Sequence, residues 1–114
     1  MPLPEFLKAL VKSKLTAYCE AKVPLTVRHQ VKLAFKFKGN TVELYEQRVA
    51  YNDTSIWIDC PVAKFRFSPT SQDWTLYYRD RNQHWHLFDE VEPDKSFEKI
   101  LKEVDKDRTG IFWG

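Results

Sequence analysis

Val31-Lys32-Leu33-Ala34-Phe35-Lys36-Phe37-Lys38, followed by Gly39-Asn40, is the stretch whose pattern decides the fold. Val31, Leu33, Phe35 and Phe37 alternate with Lys32, Ala34, Lys36 and Lys38, and successive side chains of a strand point to opposite faces. The stretch reads as a half-buried antiparallel strand with a basic outer face, and Gly39-Asn40 as the tight turn that returns the chain. Thr41 to Tyr51 reads as the partner. It is β-prone but mixed in pattern, with Val42 and Leu44 on one face and Tyr45 and Val49 on the other.

Further along, Asn52-Asp53-Thr54-Ser55 is a loop, and Ile56-Trp57-Ile58 is an apolar patch before Asp59-Cys60-Pro61. The next strands are Val62 to Phe67, Trp74 to Arg79 and His84 to Phe88, joined by the turns Ser68-Pro69-Thr70-Ser71 and Asp80-Arg81-Asn82-Gln83. Short strands with short polar turns predict an antiparallel meander of about five strands. In front of it, Phe6, Leu7, Leu10, Val11, Leu15 and Tyr18 repeat at helical steps, which predicts an amphipathic helix from about Pro4 to Ala21 with Pro24 behind it. Behind it, Phe97, Ile100, Leu101 and Val104 mark one face of a second helix, capped by Asp94 or Ser96 and ended by Gly110. The tail Ile111-Phe112-Trp113-Gly114 is too apolar to float free and is expected to dock on the body. The fold class is α+β: helix, meander, helix, with both helices on one sheet face.

The 114 residues are 43% hydrophobic and 30% charged, which reads as a single domain over 1–114. Four Trp, five Tyr and eight Phe exclude disorder for most of the length, because burying them offsets the entropy of ordering the chain. Cys19 and Cys60 show no CxxC and accompany no secretory signal, so free thiols are expected. No run of about 18 apolar residues occurs, and lysines interrupt the apolar part of MPLPEFLKALVKSKL, so the expected location is cytoplasmic with no membrane partner. Residues 1–40 carry eight Lys/Arg against two acids, and residues 41–114 ten against fourteen. The bias permits an anionic partner without demanding one.

The glycines, at 39, 110 and 114, cannot supply GxxxxGK[ST] or GxSxG, which excludes P-loop, Rossmann and α/β-hydrolase chemistry. No cofactor is expected. His84 and His86, two apart on a strand, would share a side and could meet a metal together, with Trp85 and Leu87 turned into the core. A catalytic zinc wants a third protein ligand, and His29, Cys60, Asp59, Asp89 and Glu90 show no motif spacing; the other reading is a pair of solvent-facing histidines. The carboxylates Glu43/Glu46, Asp59, Asp80 and Asp89-Glu90-Glu92 form no PD-(D/E)xK nuclease pattern, and the last group suits a helix N-terminus.

With the apolar strand positions against the helices, the opposite face would collect Lys32, Lys36, Lys38, Lys64, Arg66, Tyr77, Arg79, His84 and His86. Exposed aromatics stack on bases and cations contact phosphate, although no RNP-type sequence accompanies them, and lysines on an open sheet face also guard against aggregation.

Ala63-Lys64-Phe65-Arg66-Phe67, Trp74-Thr75-Leu76-Tyr77-Tyr78-Arg79-Asp80, Trp85-His86-Leu87-Phe88, a Phe-Glu-Lys-Ile-Leu helix and Asp107-Arg108-Thr109-Gly110-Ile111-Phe112-Trp113-Gly114 together resemble a small bacterial family known only as a domain of unknown function. Its members are about this long and finish in a similar Gly-x-Phe-x-Gly tail. The resemblance runs from about Arg28 onward and is clearest from Pro61 to Gly114. It implies bacterial origin and a single domain, and brings no catalytic or binding residues. Its polar positions are Arg66, Arg79 and Asp80, and an Arg79/Asp80 pair would close the turn by a charge-assisted hydrogen bond or serve a site.

The expected function is therefore a non-catalytic bacterial partner-binding domain using the basic outer sheet face, with Lys32, Lys36, Lys64, Arg66, Tyr77 and Arg79 meeting nucleic acid or an acidic protein. The alternatives are a small metal-dependent enzyme using His84 and His86, and a homo-oligomer that buries the sheet face.

Overall fold

The computed structural model describes residues 3–113, which build an α+β fold: α1 (Glu5–Lys22), β1 (Val31–Lys38), β2 (Thr41–Val49), β3 (Trp57–Ser68), β4 (Asp73–Arg79), β5 (Trp85–Leu87) and α2 (Phe97–Lys106). The five strands form one antiparallel sheet in the order β1-β2-β3-β4-β5, so each strand pairs with its sequence neighbours. Among the described residues no helix is long and apolar enough to cross a membrane.

The register explains the core. Phe37 lies opposite Val42, Val42 opposite Phe65 and Phe65 opposite Leu76, and Phe67 lies opposite Trp74. Apolar side chains thus share one face, on which α1 places Val11 and Leu15 and α2 places Phe97, Ile100, Leu101 and Val104. Trp74 and Phe65 are completely buried and meet the Phe97 ring edge-on at 5.0 and 4.9 Å. Burying one large side chain in this way contributes roughly 1.5–3 kcal/mol. The helices also touch each other: Tyr18 Oη donates to Asp105 Oδ1 at 2.9 Å, and Lys22 pairs with the same carboxylate at 3.1 Å. Arg28 closes the end of α1 by donating to the carbonyls of Val23 and Glu20.

Of the boundaries that differ from the sequence expectation, three change how the fold is built. β3 begins at Trp57, five residues ahead of Val62, and runs through Pro61. The ladder to β4 stops at Ala63, so the Trp57–Val62 segment pairs with β2 alone. Ala50 N donates to Ile56 O, and by alternation the proline nitrogen falls on the open side, where no ladder bond is lost. The register shifts beside Pro61, between Leu44 and Tyr45 of β2.

α2 ends at Lys106 instead of at Gly110. Asp107 takes the left-handed conformation, φ 46°, that glycine usually supplies at this point. Its carboxylate then accepts from the backbone N–H groups of Phe112 (2.9 Å) and Trp113 (2.8 Å). Trp113 Nε1 donates to Val104 O at 3.1 Å, Lys22 lies over the Trp113 ring, and Phe112 is buried against Phe88. The tail docks through Phe112 and Trp113; Gly114 lies outside the described residues.

β5 begins at Trp85, one residue after the expected His84, and this single residue decides its faces. A four-residue turn would set Tyr78 opposite Trp85. The observed loop, residues 80–84, sets Arg79 opposite Trp85, Tyr78 opposite His86 and Tyr77 opposite Leu87. Trp85 and Leu87 therefore lie on the outer face with Tyr77 and Arg79, and His86 lies on the helix side, stacked on Tyr78 at 5.4 Å. A shift of one residue moves every side chain of a strand to the other face.

Candidate functional site

The outer face is built from the odd-numbered positions of β4 and β5, the even-numbered positions of β1, and Lys64 and Arg66 of β3. Cations and rings interleave across it. Lys32 Nζ lies 4.5 Å from the Trp57 ring centroid, and Lys36 Nζ 5.4 Å from that of Tyr45. On the other side, Lys64 Nζ at 5.7 Å and Arg79 Cζ at 5.3 Å both lie over Trp85. A cation over an aromatic face is attracted by its quadrupole, so the rings hold the positive charges without neutralising them.

The six sequence-named residues Lys32, Lys36, Lys64, Arg66, Tyr77 and Arg79 thus share the face, but they fall into two groups. Lys36 is paired with Glu43 at 3.5 Å, and Glu43 stands opposite Lys64 in the register. Among the described residues Lys32, Lys64, Arg66 and Arg79 enter no ion pair. Lys64, Arg66 and Tyr77 join Asn40, Thr41 and Trp85 around a shallow concavity of about 270 Å³, with no acid in its wall. Three of these four unpaired cations, Lys64, Arg66 and Arg79, stand on β3 and β4, within the half of the chain whose sequence balance is acidic.

Short local bonds position this group. Gly39 adopts φ 59°, and Asn40 Nδ2 donates to Phe67 O at 2.7 Å while Phe67 N donates to Asn40 O at 2.9 Å. The β1–β2 turn is thereby tied to the end of β3, which brings Asn40 and Thr41 to the concavity. At its other end, Asp80 organises the β4–β5 turn. One carboxylate oxygen accepts from the N–H groups of Asn82 (2.8 Å) and His84 (2.9 Å), and the other is 2.6 Å from His86 Nε2. The bond from His84 N–H, followed by that from His86, holds the Asp80 carboxyl below the usual carboxylate range. Asp80 does not pair with Arg79. Arg79 Nη2 donates instead to Gln83 Oε1 at 3.4 Å, and its buried Nε has no hydrogen-bond partner among the described residues.

His84 and His86 do not join the outer basic group. His86 lies on the helix side, bonded to Asp80, and His84 precedes β5 with its backbone N–H on the same carboxylate. Among the described residues no three His, Cys, Asp or Glu side chains gather as a metal-binding group. Sequence reasoning missed Trp85, Asn40 and Thr41 as members of the site. The Asp-x-Asn spacing at Asp80-Arg81-Asn82 is an Asx-turn signal that could have lengthened the expected loop and exposed Trp85.

The family model for a domain of unknown function, DUF3024, matches residues 3–114. The match includes α1, which lay outside the resemblance read from sequence. No curated protein and no solved structure matches the chain.

Proposed function

We propose that this chain, which belongs to the DUF3024 family, binds single-stranded nucleic acid on the outer face of its sheet. One observation carries the reading: Trp85 stands on that face with the cations of Lys64 and Arg79 over its ring, beside a concavity walled by Lys64, Arg66 and Tyr77. Cations answer phosphate, and rings on an open sheet offer stacking platforms to bases that a duplex keeps hidden. An acidic protein would meet the same cations; what favours nucleic acid is that the rings interleaved with them, Tyr45, Trp57 and Trp85, could also stack on bases.

Fluorescence polarisation of labelled single-stranded and duplex oligonucleotides tests the proposal. Three or four phosphate contacts, from Lys64, Arg66, Arg79 and Lys32, give a log–log salt slope of about −2 to −3, a roughly 15- to 60-fold loss between 50 and 200 mM salt. Single strands should bind more tightly than duplex, and Lys64→Ala should reduce the slope by about 0.7. Absence of binding at low salt, or equal affinity for duplex, overturns the proposal.

A further inference from the structure

The outer face is uneven, and the concavity beside Trp85 has the size and lining of a discrete subsite. Its volume of about 270 Å³ falls just below the roughly 300–1,000 Å³ typical of drug-sized ligands, so it has room for one unit of a polymer. Its walls divide by chemistry. Lys64 and Arg66 supply positive charge with no ion-pair partner among the described residues, Tyr77 and Trp85 supply rings, and Asn40 and Thr41 supply neutral polar atoms. The donors of Asn40 and Thr41 are partly spent on Phe67 O and Lys38 O at 2.7 Å each, which fixes both side chains before any ligand arrives. Three strands meet here in register, Glu43 opposite Lys64 opposite Tyr77, so all the walls but the turn residue Asn40 rest on sheet. The β1–β2 half of the face carries Lys32 and Lys36 over rings as well, but Lys36 is neutralised by Glu43.

We infer that this concavity is a subsite for a single nucleotide unit, with the phosphate drawing Lys64 to itself and Arg66, and the base stacked on the Trp85 ring face that Lys64 leaves. The inference rests on the proposed strand-binding face and adds where the base is read. The β1–β2 half then serves the backbone alone. The shared chemistry is a nucleoside monophosphate, whether free or within a strand.

The test needs first the unaltered protein. A labelled oligonucleotide is displaced by an unlabelled strand of the same sequence, by a strand of the same length made abasic throughout, by adenosine 5′-monophosphate and by inorganic phosphate. The base-bearing strand should compete about 5- to 150-fold better than the abasic one, the range expected for one stacked base. Trp85→Ala should remove that difference, Trp85→Phe should restore most of it, and Trp57→Ala should not remove it. Equal competition by base-bearing and abasic strands overturns the subsite but leaves the strand-binding face standing, as does a base-dependent loss in Trp57→Ala as large as in Trp85→Ala. Competition by free adenosine monophosphate as strong as by the strand, with none by phosphate, supports the subsite and overturns strand binding. No competition by any of the four overturns both.

Discussion

Replacing Asp107 with alanine removes the acceptor for two backbone N–H groups and leaves a β-carbon at φ 46°. Hydrogen bonds to a charged group contribute about 1.5–3 kcal/mol each. Asp107 is only half-buried, and water can reach the released Phe112 and Trp113 amides, so the pair should be worth about 2 kcal/mol together. Aspartate tolerates the left-handed conformation better than alanine does, so that conformation adds about 1 kcal/mol for the alanine variant and nothing for glycine. Urea unfolding at neutral pH, followed by tryptophan fluorescence, should then show Asp107→Ala destabilised by about 3 kcal/mol and Asp107→Gly by about 2 kcal/mol, with unchanged denaturant slopes. The order matters as much as the size. If the alanine variant lies within about 0.5 kcal/mol of the parent, as an ordinary surface change would, or if glycine is the worse replacement, Asp107 is not what holds the tail.

Gly39→Ala meets no atom within 4 Å of the new β-carbon, so its cost should be the backbone conformation alone, about 1–2 kcal/mol by thermal melting; a much larger loss would place a hidden contact at that turn. The Asp105 carboxyl is held below its usual range by the hydrogen bond from Tyr18 and then that from Lys22. Its stability is present above the unfolded carboxylate value of about 3.9 and is lost as pH falls through the lower folded value, so Asp105→Asn should flatten the acid limb of a stability–pH curve. Tyr18 is pushed the other way, by burial and then by Asp105; its contribution is whole below about pH 10 and fades above it, and Tyr18→Phe should remove that alkaline decline. Burial raises the Cys19 thiol to about 11, so iodoacetamide at pH 8 should label Cys19 far more slowly in the folded protein than in urea; equal rates would contradict its burial.

What the sequence disclosed depended on strand length. In β1, β3 and β4 several alternating positions agree with one another, and Phe35, Phe65 and Trp74 could be assigned to one face without the structure, whereas the mixed pattern of β2 left its faces open. β5 has three residues, too few for its own period to decide, and its faces follow from the length of the 80–84 loop. That length depends on Asp80 gathering Asn82, His84 and His86, a tertiary arrangement that periodicity does not report. Pro61 misled for a related reason: it reads as a strand breaker unless one knows that β4 stops short of it. The six basic-face residues were legible because each sits on a long strand, whereas Trp85 was hidden by one residue of register.

The ordering of strands along the sheet also governs how the chain reaches this state. Each ladder joins neighbours in sequence, so the sheet can be assembled by closing one short loop at a time, with low entropy cost at every step. The helices stand at opposite ends of the chain, and the Tyr18–Asp105 bond spans 87 positions. Without the sheet that contact would close a very long loop for one hydrogen bond; with the sheet formed, its two ends are already neighbours. Contact between the helices is thus the last event that loop entropy permits, and mutations at Tyr18 or Asp105 should act on the unfolding rate while leaving the folding rate nearly unchanged.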